Sequence, residues 1–401
     1  MTAPTGTSAT TTRPWTPRIA TQLSVLACAA FIYVTAEILP VGALSAIARN
    51  LRVSVVLVGT LLSWYALVAA VTTVPLVRWT AHWPRRRALV VSLVCLTVSQ
   101  LVSALAPNFA VLAAGRVLCA VTHGLLWAVI APIATRLVPP SHAGRATTSI
   151  YIGTSLALVV GSPLTAVCVT GAAAAVALAA RLALPEMVLR ADQLEHVGRR
   201  ARHHRNPRLV KVSVLTMIAV TGHFVSYTYI VVIIRDVVGV RGPNLAWLLA
   251  AYGVAGLVSV PLVARPLDRW PKGAVIVGMT GLTAAFTLLT ALAFGERHTA
   301  ATALLGTGAI VLWGALATAV SPMLQSAAMR SGGDDPDGAS GLYVTAFQIG
   351  IMAGALLGGL LYERSLAMML TASAGLMGVA LFGMTVSQHL FENPTLSPGD
   401  G

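Results

Sequence analysis

The chain has 401 residues, of which 56% are hydrophobic and only 10% are charged, and its formal net charge is +14. A soluble domain carries roughly 25% charged residues. This composition excludes a soluble globular protein, and it leaves too little polar sequence for a separate catalytic domain. The four cysteines, which lie within or beside apolar segments, are expected to pack as small apolar side chains rather than form disulfides or a metal site. They are Cys28, Cys95, Cys119 and Cys168.

Apolar residues fall into twelve blocks, most of them near the ~20 residues that cross a ~30 Å hydrocarbon core as a helix. Because backbone polar groups in a bilayer need partners within the protein, each block is predicted to be helical. The fifth and sixth spans are expected to be short, with a minimal external turn near residues 167–171. The predicted spans are residues 19–45, 54–77, 88–105, 109–135, 146–167, 169–184, 209–234, 245–263, 273–294, 300–324, 340–361 and 367–386.

The longest polar interval divides this all-α membrane protein into two halves of six spans each. The first residues are rich in Thr, Ser and Pro and are predicted to be a disordered tail. The predicted division is a cytoplasmic tail (1–18), an N-terminal six-helix bundle (19–185), a cytoplasmic linker (186–208), a C-terminal six-helix bundle (209–386) and a second tail (387–401).

The distribution of basic residues predicts the topology. With twelve spans, the side that carries both termini holds 19 of the lysines and arginines, whereas the opposite loops hold six. Lysine and arginine in short loops mark the cytoplasmic side, so both termini are predicted to be cytoplasmic in the inner (plasma) membrane. The same distribution argues against nucleic acid as a partner. The orientation of the chain in the lipid bilayer explains the positive charge instead.

An internal repeat links the two halves. Trp83-Pro84 and a basic residue follow the second span, and Trp270-Pro271 and a basic residue follow the eighth. A repeated six-helix unit is typical of secondary transporters, whose substrate site lies near the bilayer midplane between the repeats.

Five further segments, together with this architecture, resemble the major facilitator superfamily, and most closely its proton-driven drug and sugar efflux branch. The resemblance covers nearly the whole chain. It implies the two-bundle major facilitator fold, alternating access and export of a sugar or an amphipathic drug in exchange for protons. The segments are residues 36–42 with their acidic, Pro and Gly positions, Arg116 with His123-Gly124, residues 153–163, residues 222–229 and residues 347–358.

Two features depart from the family pattern. The loop after the second span has Ala81, His82 and Pro84 where an acidic–basic pair and glycines are usual, so a charge relay that locks the cytoplasmic side is expected to be missing. The second copy keeps Asp268-Arg269. The usual external turn between the fifth and sixth spans is also absent. Either departure predicts altered gating or impaired transport.

Glu37 is the candidate proton carrier, because it is the acidic residue that lies well inside a span. A charge at mid-bilayer costs about 2.5–3.5 kcal/mol, so it usually has a functional role. Counted at ~1.5 Å per residue, Glu37 and Arg116 both lie roughly 10–12 Å below the outer face, which permits pairing. That their spans are neighbours follows only from the resemblance. The alternatives are a static ion pair, or an Arg116 that caps backbone carbonyls.

Polar and aromatic residues within other spans are candidates for the substrate cavity, with interior packing as the alternative for each. Tyr229 is expected to point away from His223 and Tyr227 on the same span and to be a packing residue. The cavity candidates are His123, Trp127, His223, Tyr227, Trp313 and Gln348. The gating candidates are Gly161 and Pro163, which should bend the fifth span, Asp268 and Arg269, and the close-packing ridge of Gly350, Gly354 and Gly358.

No Walker loop, zinc-protease motif or nucleophile elbow occurs in the sequence, so ATP hydrolysis and enzyme chemistry are not expected. We expect no cofactor, no metal and a monomeric protein whose partners are protons and a small-molecule substrate. Two rival interpretations remain open. One is an uncoupled facilitator or importer of the same fold, and the other is a transport-inactive membrane sensor or assembly partner.

Overall fold

The computed structural model describes residues 15–42, 44–160, 166–187, 206–295, 299–333 and 335–387, and this part of the chain is helical without strands. Short helical turns, Ile230–Ile233 and Ile234–Val238, follow α8. The helices are α1 (Pro17–Gly42), α2 (Leu44–Leu51), α3 (Val55–Trp79), α4 (Arg85–Ala104), α5 (Phe109–Arg136), α6 (Ala143–Val160), α7 (Ala166–Ala183), α8 (Pro207–Tyr227), α9 (Pro243–Arg269), α10 (Pro271–Phe294), α11 (Ala300–Ser331), α12 (Pro336–Tyr362) and α13 (Leu366–Val386).

Polar side chains fix several helix starts. The side-chain oxygens of Ser54, Asn108, Asn206 and Asp335 each accept a backbone N–H from the first turn of α3, α5, α8 and α12. Thr299 forms a reciprocal capping box at the start of α11. These caps satisfy donors that the helix itself cannot pair, so the helices begin at defined positions at the ends of the apolar segments.

Every predicted span overlaps a described helix, and all the helices other than α2 correspond to one span each. Within the described residues, nine helices are long and apolar enough to cross a membrane, which confirms a multi-pass membrane protein. The count of twelve spans stays a prediction. Large apolar side chains such as Leu182, Trp247 and Leu304 are exposed, as expected for surfaces that face lipid.

The predicted boundary between the fifth and sixth spans is wrong. Helix α7 already includes residues 167–171, where an external turn was expected, and α6 is described only to Val160. Apolar Val and Ala residues continue through this segment, so hydropathy alone could not show where one helix ends and the next begins. Gly161 and Pro163, predicted to bend the fifth span, lie outside the described residues.

Helix packing repeats between the two halves and gives two pseudo-symmetric bundles. In the first, α1 packs on α6 and α7, α4 on α5 and α7, and α3 on α5. In the second, α8 packs on α12 and α13, α10 on α11 and α13, and α9 on α11. The bundles meet through α3 with α12 and α6 with α9, contacts that are themselves related by the repeat.

The glycine ridge of α12 is a close-packing surface, as predicted. A Cβ atom on Gly350 would lie 2.8 Å from Cβ of Val220, and one on Gly354 would lie 2.6 Å from the carbonyl oxygen of Thr221. Gly358 faces the backbone of Val225. All three contacts are with α8, a helix of the same bundle. The ridge therefore does not lie between the bundles, and its role in gating stays a prediction.

We expect Gly354→Ala to lower the melting temperature of the purified protein, because the added methyl group must push α8 and α12 apart. Overpacking of this kind costs about 1–3 kcal/mol. Gly375→Ala in α13 is the matched control, since a Cβ there has no neighbouring atom within 4 Å. Equal melting temperatures for the two variants would contradict the close packing.

Candidate functional site

Arg116 binds the backbone of α1. Its guanidinium donates from Nη1 to the carbonyl oxygen of Ala36 (2.6 Å) and from Nη2 to that of Glu37 (2.9 Å). Pro40, four residues after Ala36, has no N–H to donate to the Ala36 carbonyl, so Arg116 supplies the missing donor. The guanidinium also lies over the ring of Tyr65, 4.8 Å from its centroid.

This geometry decides between the alternatives for Arg116. The spans of Glu37 and Arg116 are in contact and the two residues lie at the same depth, as expected. Among the described residues, however, no ion pair joins the Arg116 guanidinium to the Glu37 carboxylate. Arg116 caps backbone carbonyls instead. The carboxylate is directed toward His123, with Oε2 4.0 Å from Nδ1.

His123 joins the first bundle to the second. It is 2% exposed, and its Nε2 lies 2.6 Å from Nε2 of Gln348 on α12. An amide nitrogen can only donate, so Nε2 of His123 accepts and Nδ1 carries the proton. Nδ1 then donates to the hydroxyl oxygen of Tyr65 at 2.8 Å. The Tyr65 hydroxyl is in turn 3.4 Å from Sγ of Cys119.

Aromatic rings enclose this histidine. Tyr33 and Tyr65 contact the His123 ring edge-on, with centroids 5.5 and 5.3 Å away, and Trp127 lies 6.3 Å away. The structure therefore brings Glu37, His123 and Gln348 together in one polar cluster inside an aromatic shell. Each of them was predicted as a site residue.

A second aromatic cluster occupies the other bundle. His223 and Tyr227 of α8 stack with centroids 5.1 Å apart, and both are half-buried. Trp313 of α11 donates its indole N–H to Nδ1 of His223 at 2.9 Å. Trp313 is 0% exposed, so the expectation that it lines a cavity is wrong in this conformation. It lies behind His223, against Phe286.

Ion pairs close the membrane face at which α1 begins. Asp337, 1% exposed at the start of α12, accepts from Nη2 of Arg136 at 2.6 Å and pairs with Nε of Arg85 at 3.3 Å. Both arginines belong to the first bundle. The expectation that this face lacks a charge relay is therefore wrong. Arg85, the first residue of α4, supplies the cation directly after this loop, and the acid comes from the opposite bundle.

A second polar contact between the bundles lies at the position that the internal repeat relates to the first. Asp268, at the end of α9, accepts from the backbone N–H of Gly144 at 2.6 Å and pairs with Nε of Arg145 at 3.0 Å. Because Gly144 lies in the first turn of α6, the carboxylate also faces the positive end of that helix. Arg269 is exposed at the end of α9.

Sequence reasoning missed Gln325, which is fully buried between the bundles. Its Nε2 donates to the Trp127 carbonyl oxygen and to the Ser340 hydroxyl, each at 3.1 Å, and Tyr151 donates to its Oε1 at 3.0 Å. The tenth span was predicted to end one residue earlier, at 324. A glutamine within the apolar α11 would have been the signal.

The model of the major facilitator superfamily matches residues 26–355. This chain belongs to the major facilitator superfamily. It is therefore a membrane transporter and not an enzyme. The human organic anion transporter MFSD10 (TETRAN) is a similar structure, with a TM-score of 0.73 and 17% identity over 92% of this chain and 100% of that one. FucP in the outward conformation also has a TM-score of 0.73, with 14% identity over the same shares.

Two relatives from Mycobacterium tuberculosis, strains H37Rv and CDC 1551, are chloramphenicol efflux pumps. Each is 97% identical to this chain, with 100% of both sequences covered. These relatives support an efflux transporter. The alignments span 413 positions, which exceeds the 401 residues of this chain by 12. The relatives therefore contain residues that this chain lacks.

We expect Asp337→Asn to destabilise the protein by about 3–5 kcal/mol, because it leaves the buried Arg85 guanidinium without a carboxylate. Asp236→Asn is the control, since the Arg235–Asp236 pair is exposed and such pairs contribute about 1 kcal/mol or less. Thermal unfolding of the purified variants measures the difference. A melting temperature of Asp337→Asn equal to that of the control would contradict a structural role for this ion pair.

Proposed function

We propose that this chain exports chloramphenicol, or an amphipathic compound of similar size, in exchange for protons by alternating access of a cavity between the two bundles. The observation that carries the proposal is the cluster of Glu37, His123 and Gln348. It joins an acidic residue inside the first bundle to the second bundle through one histidine. The substrate class is taken from the chloramphenicol efflux pumps that the chain resembles.

Glu37 is suited to carry the proton because Arg116 is occupied by the backbone of α1. A carboxylate held in an ion pair with Arg116 would stay ionised at both stages of a transport cycle. Here the guanidinium hydrogen bonds go to two carbonyl oxygens, and the Glu37 side chain remains 15% exposed. Glu37 can therefore gain a proton from one side of the membrane and lose it to the other.

His123 provides the link between protonation and conformation. A proton on Glu37 removes the negative charge 4.0 Å from the His123 ring, and that ring contacts Gln348 across the interface between the bundles. Protonation of one bundle thus changes the electrostatics at a contact with the other.

The structure corresponds, in this proposal, to a state closed on the cytoplasmic side. The Asp337 and Asp268 contacts lie at the face where α1 begins, and the distribution of lysine and arginine assigns that face to the cytoplasm. In this proposal both termini lie in the cytoplasm of a bacterial cell. Opening toward the cytoplasm requires that these ion pairs separate.

The decisive experiment is proton flux in everted vesicles that contain the full chain. We expect added chloramphenicol to dissipate a preformed pH gradient with the wild-type protein and not with Glu37→Gln, which cannot release a proton. Glu363→Gln is the control, because Glu363 is an exposed acid at the end of α12. Binding of chloramphenicol to Glu37→Gln is expected to persist.

The same assay tests the rival functions. Chloramphenicol flux that follows its own gradient and does not change with Glu37→Gln would show an uncoupled facilitator. If folded and inserted wild-type protein shows neither binding nor flux, the transport proposal fails.

A further inference from the structure

Trp313 fixes the tautomer of His223. An indole N–H can only donate a hydrogen bond, so Nδ1 of His223, 2.9 Å away, must present its lone pair. A neutral His223 therefore carries its proton on Nε2. Trp313 has little freedom to turn away, because it is fully buried with Phe286 at 4.7 Å and Tyr252 at 5.6 Å between ring centroids.

The surroundings of His223 favour its neutral form. Three aromatic rings lie against it, with centroids at 4.9 Å (Phe224), 5.1 Å (Tyr227) and 5.7 Å (Trp313). In the part of the chain that the structure describes, no carboxylate lies within ion-pair distance of this histidine. A second proton on the ring would also eliminate the bond from Trp313, since Nδ1 could no longer accept.

The Nε2–H of His223 has no hydrogen-bond partner among the described residues, although the side chain is only half-exposed. His123 differs in this respect, because both of its ring nitrogens are occupied, by Tyr65 and by Gln348. A hydrogen-bond donor that is held in one orientation beside aromatic rings can recognise a ligand. It favours binding of a ligand that has a hydrogen-bond acceptor on an aromatic ring.

We propose that His223 is a specificity-determining residue that donates from Nε2–H to an acceptor oxygen on the aromatic group of the substrate, with Trp313 as its positioning residue. This inference rests on the proposed function and assigns its substrate subsite. The aromatic group packs against the half-buried rings of Tyr227 and Phe224. Protons are handled in the first bundle and the aromatic substrate is recognised in the second.

Binding to the purified full chain in lipid nanodiscs tests the proposal with three ligands that share one scaffold. These are chloramphenicol, its methylsulfonyl analogue and the analogue whose nitro group is reduced to an amine. The first two carry acceptor oxygens on the ring, whereas the amine is a donor. One hydrogen bond contributes about 0.5–1.5 kcal/mol, so we expect the wild-type protein to bind the first two about fivefold more tightly than the amine.

The informative variant is the double substitution His223→Phe with Trp313→Phe. It removes both partners of the buried bond and keeps aromatic rings at both positions, so no unpaired N–H is left in the interior. We expect this variant to bind all three ligands with affinities within about twofold of one another. Trp313→Phe alone should reduce the preference, because His223 can then place its proton on either nitrogen.

Nitrogen-15 NMR of histidine-labelled protein reports which ring nitrogen of His223 carries the proton. This signal would not depend on Trp313 if the two side chains only packed together. The His223 signal, assigned by its loss in the double variant, should show an unprotonated Nδ1 in the wild-type protein and a mixture of tautomers in Trp313→Phe. Tyr229→Phe is the control for both experiments, since Tyr229 stacks on Tyr362 away from this cluster.

The outcomes separate this inference from the proposed function. A wild-type preference that survives in the double variant would overturn the role of His223 and leave chloramphenicol export intact. A wild-type protein that binds none of the three ligands would overturn the proposed substrate, and the subsite with it.

Discussion

The central constraint on this molecule is that backbone groups inside a bilayer must find partners within the protein. Pro40 leaves the carbonyl of Ala36 without its helical donor, and Arg116 of α5 supplies one. An intramembrane cation, itself costly, is thus used to complete the hydrogen bonding of α1. The arrangement of the other site residues in the first bundle depends on these hydrogen bonds of Arg116. Because the guanidinium holds the main chain, the Glu37 carboxylate is left to face His123.

Contacts between the bundles are polar at one face of the membrane and are built from both copies of the repeat. Asp337 of the second bundle binds Arg85 and Arg136 of the first, and Asp268 binds the start of α6. Gln325 adds a buried amide between them. Ion pairs and the hydrogen bonds of an amide side chain can separate and form again without leaving apolar surface exposed. A reversible closure is therefore better made from such bonds than from interlocking apolar side chains.

Much of this could be predicted from sequence, because hydrophobic length and charge distribution are one-dimensional properties. The helix positions, the equal depth of Glu37 and Arg116 and the close packing at Gly354 follow from spacing along the chain. Helix rotation and the register between bundles do not. For that reason the partner of Arg85 and the burial of Trp313 were missed.

The boundary between α6 and α7 was missed for a different reason, since apolar sequence continues through it without a polar marker. Within the described residues, α6 and α7 each have 18 residues. The residues of both clusters belong to other helices, namely α1, α3, α5, α8, α11 and α12. The lengths of α6 and α7 therefore concern the outer rim of the first bundle, and not the Glu37–His123–Gln348 cluster or the aromatic cluster of the second bundle.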